Sequence, residues 1–254
     1  MRLGFVGTGT IAAAMIEGLA SQPGCEPILV SPRNAEVAAG LATRFSNVTV
    51  AESNQAVLDG SDMVILAVRP QIAAEVLAEL RFRPDHHVVS LTAAVTLDFL
   101  RKRAAPAATV TRAIPLPPVA RRQGPTTLYP PDEQAKALFD RLGMGIVLED
   151  EASFDAFSSA TAVMAAYFAF AHTVSAWMER NGVPGHQAHA FVRQMLAGLA
   201  SAPAQQDFAE LAREHQTKSG LNEQVFETVT RDGILPDLDG ALDAILARLR
   251  AAPR

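Results

Sequence analysis

A glycine-rich turn near the N-terminus constrains the fold of this chain more than any other feature. Residues 7–12 have the sequence GTGTIA, a G-x-G-x-x-A pattern that follows the apolar segment 3–6. In a strand–turn–helix unit, the first glycine permits a tight turn, the second lets the backbone approach a pyrophosphate, and the alanine lets helix and strand pack closely. Unpaired N–H groups at the helix start then face the phosphates. The pattern predicts a dinucleotide-binding fold.

Short apolar segments alternate with helical ones through the first half of the chain. The predicted strands cover residues 3–6, 27–30, 48–50, 63–68, 88–91 and 109–112. The predicted helices between them cover residues 11–19, 35–45, 54–58, 71–80 and 96–103. Strands separated in this way predict an α/β fold with a Rossmann-type, doubly wound parallel sheet. After a proline-rich stretch, residues 126–129, a helix at 132–142 and residues 145–148 are expected to complete the sheet.

Strand patterns stop after about residue 150, and only helical patterns follow. These cover residues 152–180, 186–200, 206–215, 221–230 and 238–250. We therefore predict two domains, an α/β domain at residues 1–150 and an all-helical domain at residues 151–254.

Composition excludes several classes of protein. Hydrophobic residues make up 49% of the chain and charged residues 19%, which excludes intrinsic disorder. The net charge of −5 argues against a nucleic-acid partner. One cysteine, Cys25, excludes an internal disulfide and a cysteine-based zinc cluster, and no further ligands accompany His186 and His189, so no metal site is expected. The apolar run at the N-terminus is too short for a signal peptide, and we expect a cytoplasmic protein.

Residues 156–178 contain no Asp, Glu, Lys or Arg. Such a segment is long enough to span a bilayer. It is rich in alanine, however, carries several hydroxyl side chains, and lacks the basic flank typical of a lone membrane helix. We favour a helix buried in a core or a subunit interface, and we expect no membrane association.

The loop after the second predicted strand indicates which dinucleotide binds. NAD-binding domains usually carry an acidic residue there that holds the ribose hydroxyls. This chain instead has Ser31, Arg33 and Asn34, which can hold a 2′-phosphate through charge-assisted hydrogen bonds. We therefore predict NADP (NADPH) as the cofactor. The alternative is that Arg33 is a solvated loop charge.

Residues 67–71 lie at the end of the clearest buried strand, where ligands bind in such sheets. The alternative is an ordinary strand-to-helix loop with Pro70 at the first helical position. The candidate cofactor-binding residues are Gly7, Thr8, Gly9, Thr10, Ile11, Ser31, Arg33, Asn34, Asn54, Ala67, Val68, Arg69, Pro70 and Thr92.

With these motifs in place, the chain resembles the pyrroline-5-carboxylate reductase family. The likeness rests on GFVGTG at residues 4–9, ILAVRPQ at 65–71 (family ILAVKPQ), SLTAAVTL at 90–97 (family S-x-A-A-G-V-T-L), RAIP at 112–115 (family R-x-M-P), and Tyr167 with residues 181–183. The resemblance implies an NADPH-dependent reductase of a cyclic imine, by default pyrroline-5-carboxylate to proline. It also implies that the C-terminal helices form a dimerisation and substrate domain, in a homodimer or a higher homo-oligomer.

The departures from the family mark a divergent member. Residues 161–167 are TAVMAAY where the family has S-G-S-G-P-A-Y, and residues 217–223 are TKSGLNE where it has T-S-P-G-G-T-T. In the family, the second loop holds the substrate's carboxylate and imine nitrogen. The resemblance therefore gives Ser219, Gly220, Asn222 and Glu223 as substrate-binding candidates, and Thr161 and Thr217 as hydroxyl-bearing catalytic candidates. Alternatively, Asn222 caps a helix and Glu223 stabilises its first turn.

Two other functions remain open at this point, and a third is disfavoured. The substrate could be a different imine, or the protein could bind NADP without catalysis because its substrate loops are altered. A β-hydroxyacid dehydrogenase shares the architecture but places a lysine in the long helix. Here the lysines are Lys102, Lys136 and Lys218, all outside that helix, which argues against that family.

Overall fold

The computed structural model describes residues 1–202, 206–231 and 234–251. The chain divides into two compact units, one of residues 1–158 with the described residues from 248 onward, and one of residues 159–247. The domain limits of 1–150 and 151–254 stay a prediction.

The first unit is built on an eight-stranded sheet. Its strands are β1 (Leu3–Val6), β2 (Ile28–Val30), β3 (Val48–Val50), β4 (Met63–Leu66), β5 (His87–Ser90), β6 (Thr109–Pro115), β7 (Pro125–Tyr129) and β8 (Met144–Val147). They lie in the order β3-β2-β1-β4-β5-β6-β7-β8. Every neighbouring pair is parallel except β6 and β7. The predicted Rossmann-type α/β fold is confirmed.

The antiparallel pair differs from the all-parallel prediction, and the connection explains it. Residues 116–124 between β6 and β7 hold only a short 3₁₀-helix, Pro117–Arg121. A parallel neighbour needs a crossover of about a dozen residues or more. The proline-rich stretch is too short for that, so β7 returns antiparallel to β6. A helix then connects β7 to β8, and these two strands are parallel again.

Helices cover both faces of the sheet. They are α1 (Thr10–Ala20), α2 (Ala35–Arg44), α3 (Asn54–Asp59), α4 (Pro70–Ala78), α5 (Leu97–Ala104) and α6 (Glu133–Asp140). Along β4, Met63 and Ile65 belong to a core with α1, α2 and α6. Val64 and Leu66 belong to a second core with α3, α4 and α5. All four side chains are buried, as expected for a central strand of a doubly wound sheet.

Only helices follow β8 in the described part of the chain. They are α7 (Glu151–Ala160), α8 (Met164–Arg180), α9 (Gly185–Ala200), α10 (Phe208–Glu214), α11 (Leu221–Arg231) and α12 (Ile234–Arg250). The single helix predicted at 152–180 is interrupted by a 3₁₀ turn at Thr161–Val163. Two of those three residues are β-branched, and their stiff side chains disfavour a regular helix.

The predicted end of the long helix at residues 181–182 is confirmed. Gly182 has φ of +89°, its N–H donates to the Glu179 carbonyl at 3.0 Å, and the Val183 N–H donates to the Met178 carbonyl at 3.1 Å. This pair of bonds is a Schellman motif, which satisfies the last carbonyls of α8. The chain then turns into α9, and Ser175, Ala188 and Val192 are buried in this helix pair.

The segment Glu151–Arg180 has the length and composition of a membrane span, with a mean hydropathy of 1.3 over a window that is only 11% buried. Its exposed side chains include Phe168 and Trp177, which are 68% and 57% exposed. A single such helix is weak support for membrane insertion. Large apolar residues exposed on one chain are also typical of a subunit interface.

We predict that Ala94→Gly stabilises the protein. Ala94 has φ of +55°, in the left-handed region that costs an alanine about 1–2 kcal/mol, and the family motif has glycine there. Glycine removes this strain but loses more conformational entropy on folding than alanine does. The net rise in the free energy of unfolding should be about 0.5–1 kcal/mol, measured by denaturant titration. Ala93→Gly is the matched control, and it should lower stability. Equal losses from both substitutions would show that Ala94 is not strained.

Candidate active site

The direction in which successive strands are added to the sheet reverses at β1. From β1 the chain adds β2 and β3 on one side, and then β4 and the later strands on the other. Ligands of such sheets bind at this point, outside the carboxyl ends of the strands. A cavity of about 360 Å³ lies there. Its lining residues are Gly7, Thr8, Gly9, Ser31, Arg33, Asn34, Asn54, Ala67, Val68, Arg69, Ile72 and Val76.

The two glycines of the turn after β1 have different structural requirements. Gly7 has φ of +101°, and a Cβ there would lie 2.6 Å from the carbonyl oxygen of Ala67. Gly9 has open space where its Cβ would be, so a ligand can approach its backbone. Gly9 is also the N-cap of α1, and no side chain among the described residues caps that helix. Its first N–H groups are therefore available to an anion.

The loop after β2 is hydrogen-bonded to this turn. The Gly7 N–H donates to Ser31 Oγ at 2.8 Å, and Asn34 Nδ2 donates to the Thr8 carbonyl at 3.2 Å. Ser31 has no exposed surface, whereas Arg33 is exposed at the cavity. The loop thus presents one cation and uses its polar neighbours for internal bonds.

The loop after β4 forms the other side of the cavity. Pro70 occupies the first position of α4, one residue before the predicted helix start and as the alternative interpretation of this loop had it. Thr92 Oγ1 donates to the Val68 carbonyl at 3.2 Å, and this hydrogen bond holds the backbone of the loop. Thr10, Ile11, Pro70 and Thr92 are the four cofactor candidates that do not line the cavity.

Two lining residues were missed in the sequence. Ile72 and Val76 lie one helical turn apart on α4 and add an apolar surface to the cavity. Their four-residue spacing, just beyond a strand end, was the available signal. An apolar surface of this kind suits the flat face of a nucleobase.

The composition of the cavity suits an anionic dinucleotide. Its lining holds Arg33 and Arg69 and no acidic side chain among the described residues. Thr8 Oγ1 is buried and has no hydrogen-bond partner in the described part of the chain. An unpaired buried hydroxyl is costly, and a ligand phosphate would offer it an acceptor. The glycine turn, the cations and this hydroxyl therefore fit a dinucleotide that carries an additional phosphate.

The catalytic and substrate candidates lie in the second unit. Thr161 begins the 3₁₀ turn before α8, and Thr217 lies in the loop between α10 and α11. In that loop the Gly220 N–H donates to the Thr217 carbonyl at 2.7 Å. This is a tight turn with exposed hydroxyl side chains at Thr217 and Ser219.

Glu223 and Asn222 both make local contacts in this loop. Glu223 Oε2 accepts the Ser219 N–H at 2.5 Å, which satisfies a donor just before α11. Asn222 Nδ2 donates to the His215 carbonyl at 3.0 Å, so it links the loop to the end of α10 rather than capping α11. The carboxylate also places a negative charge where the related family has a hydroxyl.

A buried arginine outside the cofactor cavity was also missed. The Arg112 guanidinium lies 4.3 Å from the centroid of the Phe154 ring, and its Nη1 donates to Glu151 Oε1 at 2.7 Å. Glu151 Oε1 also accepts the Leu97 N–H at 3.2 Å. Burial lowers the pKa of Arg112, while Glu151 and Asp155 oppose that shift. The ion pair joins β6 to the starts of α5 and α7, which indicates a structural role.

Among the described residues, no group of three or more His, Cys, Asp or Glu side chains is placed to hold a metal ion. His189 Nε2 instead lies 3.4 Å from Glu179 Oε1 on the neighbouring helix.

Comparisons with known proteins match each half of the chain to a family model. Residues 2–94 match the model described as NADP oxidoreductase coenzyme F420-dependent, and residues 151–252 match pyrroline-5-carboxylate reductase dimerisation. A pyrroline-5-carboxylate reductase of Pseudomonas aeruginosa is 29% identical, and the match covers 97% of this chain and 95% of the relative.

Solved structures share the fold over the full length. A pyrroline-5-carboxylate reductase from Streptococcus pyogenes has a TM-score of 0.86 at 23% identity, covering 99% of this chain and 98% of that one. The Plasmodium falciparum enzyme, solved with NADP bound, has a TM-score of 0.84 at 16% identity with the same coverage. With its glycine turn, its strand-end cavity and its matched helical region, the chain is similar to pyrroline-5-carboxylate reductases over nearly its whole length.

Proposed function

We propose that this protein is an NADPH-dependent oxidoreductase that reduces a cyclic imine, with pyrroline-5-carboxylate to proline as the default reaction. The observation that carries the proposal is the cavity at the ends of β1, β2 and β4, with two arginines and an open glycine turn. The full-length similarity to reductases of this name supports the substrate class.

The residues of this chain would mainly bind and orient the reactants. When bound, NADPH supplies a hydride from its nicotinamide ring to the imine carbon. The first turn of α1 would hold the pyrophosphate, and Arg33 would hold the 2′-phosphate. A protonated imine is already electrophilic, so positioning provides most of the rate enhancement. Thr161 and Thr217 are our candidates for holding the proton at the imine nitrogen.

We further propose the two-domain organisation, with residues 1–150 for cofactor binding and 151–254 for dimerisation and substrate binding. The match of residues 151–252 to a dimerisation model supports a homo-oligomer. The apolar segment Glu151–Arg180 would then face a second subunit rather than a bilayer. We propose a cytoplasmic enzyme with no membrane or nucleic-acid partner.

The direct test is NADPH oxidation, followed by absorbance, with a panel of cyclic imines that do or do not carry a carboxylate. We expect turnover of at least one cyclic imine, because the cofactor cavity and the family match both indicate a reductase. A protein that binds NADPH tightly but oxidises it with no member of the panel would instead be a non-catalytic NADP-binding protein.

We expect weak activity on pyrroline-5-carboxylate itself, because the Glu223 carboxylate should repel a substrate carboxylate. Glu223→Thr should lower the KM for pyrroline-5-carboxylate by about tenfold, the effect of roughly 1.4 kcal/mol of lost repulsion. The Kd for NADPH should not change, because the cofactor candidates lie in the other unit.

Glu227→Thr is the matched control. It removes a carboxylate one turn further along α11, where Glu227 pairs with Arg231 at 3.6 Å. This substitution should leave the KM for pyrroline-5-carboxylate unchanged. If wild-type protein already has a low KM for pyrroline-5-carboxylate and Glu223→Thr leaves it unaltered, Glu223 serves only the start of the helix.

The protein should be a homodimer or a larger homo-oligomer at micromolar concentration. Large apolar side chains are exposed on α8 and α9, including Phe168, Trp177 and Phe191, and their burial would provide the driving force. Trp177→Glu should shift the equilibrium toward monomer in sedimentation velocity. A stable, soluble 27.0 kDa species for the wild-type protein would contradict this assembly.

A further inference from the structure

The loop after β2 contains two kinds of polar residue at the cofactor cavity. Arg33 is exposed, whereas Ser31 on one side of it has no exposed surface. A side chain without accessible surface does not reach a phosphate oxygen unless the loop moves. Ser31 lines the cavity, but its hydrogen bond in this structure is to the protein, which gives it a role other than direct contact with the ligand.

The hydrogen bonds of Ser31 and Asn34 indicate that role. Ser31 Oγ accepts the Gly7 N–H at 2.8 Å, and Asn34 Nδ2 donates to the Thr8 carbonyl at 3.2 Å. Each residue thus holds one peptide group of the glycine turn, across a sequence separation too long for a local motif. Both bonds act on the turn that leads into α1, and Gly7, Thr8 and Gly9 of that turn line the cavity.

These bonds restrict the conformation of Gly7, which glycine by itself would leave free. Its φ of +101° is one of several values open to a glycine, and an unanchored glycine samples many of them. On the other side, the turn contacts the backbone of Ala67, where there is no room for a Cβ. A bond to the Gly7 N–H therefore selects one conformation of the turn before any ligand arrives.

We propose that Ser31 and Asn34 are positioning residues that hold the glycine turn in its binding conformation, while Arg33 between them recognises the 2′-phosphate. The proposal rests on the NADP binding proposed above. It separates two functions within four residues: general dinucleotide affinity depends on Ser31 and Asn34, and the preference for NADPH over NADH depends on Arg33. The 2′-phosphate and the pyrophosphate would thus be recognised through one hydrogen-bonded unit.

Calorimetric titration with three probes distinguishes these functions. NADPH engages both parts, NADH engages the glycine turn but has no 2′-phosphate, and adenosine 2′-monophosphate has the 2′-phosphate but no pyrophosphate. Ser31→Ala should raise the Kd values of NADPH and NADH by the same factor, about fivefold to tenfold for one lost hydrogen bond. The Kd of adenosine 2′-monophosphate should not change. Arg33→Ala should raise the Kd values of NADPH and adenosine 2′-monophosphate and leave the Kd of NADH unchanged.

Ser61→Ala is the matched control for removing a buried hydroxyl. Ser61 is also fully buried, and its Oγ donates to the Val57 carbonyl at 2.6 Å at the opposite end of the sheet. It should lower the melting temperature without changing any of the three Kd values. If Ser31→Ala does not fold, Asn34→Ala tests the same role from an exposed position and should give the same pattern.

Two results would overturn the proposal. If Ser31→Ala weakens NADPH and adenosine 2′-monophosphate but leaves NADH unchanged, Ser31 is a direct phosphate ligand. If folded Ser31→Ala and Asn34→Ala both bind NADPH and NADH as wild type does, the turn needs no anchor. Wild-type protein that binds both dinucleotides but reduces no imine would contradict the proposed function and leave this division of roles intact.

Discussion

The close contact between Gly7 and the backbone of Ala67 is the constraint on which the rest of the first unit depends. A Cβ at residue 7 would lie 2.6 Å from the Ala67 carbonyl oxygen and 2.8 Å from its carbonyl carbon. In the sheet, β1 lies between β2 and β4. The turn after β1 can therefore pack against the loop after β4 only if residue 7 carries no side chain. That close approach brings three strand-end loops around one cavity. The same glycine therefore determines both the packing of the sheet and the shape of the site.

Local patterns predicted most of the α/β unit. The sequence signals for β1, the glycine turn, α1 and β4 lie within single short segments, and the structure places those elements within a few residues of the prediction. Such patterns succeed because strand and helix periodicities are themselves local. The antiparallel β7 was not predicted, because strand direction depends on the length of the connection rather than on the strand's own sequence.

The parts of the site that sequence missed depend on contacts between distant residues. Ser31 stays a predicted cofactor-binding residue, but its hydrogen bond from the Gly7 N–H was not predicted, because the parallel pairing of β1 and β2 brings the two residues together. Arg112 lies in β6, and its partner Glu151 comes from α7, which follows the last strand of the sheet. No local pattern encodes either pair.

The two halves of the chain differ in how they relate to the family. The cofactor cavity is built mainly from the backbone of the glycine turn and two arginines. The loop at residues 217–223 depends on side-chain chemistry, and here Glu223 satisfies a loop N–H that would otherwise be available to a ligand. This loop is therefore the part of the chain on which the proposed substrate preference rests.

Isotope transfer tests the reductase assignment most directly. NADPH in which both hydrogens at C4 of the nicotinamide ring are replaced by deuterium is incubated with the protein and a cyclic imine, and the product is examined by mass spectrometry and NMR. Direct hydride transfer predicts one deuterium on the carbon that was double-bonded to nitrogen, and none elsewhere. An unlabelled product, or no reduced product while the protein binds the cofactor, would contradict the assignment.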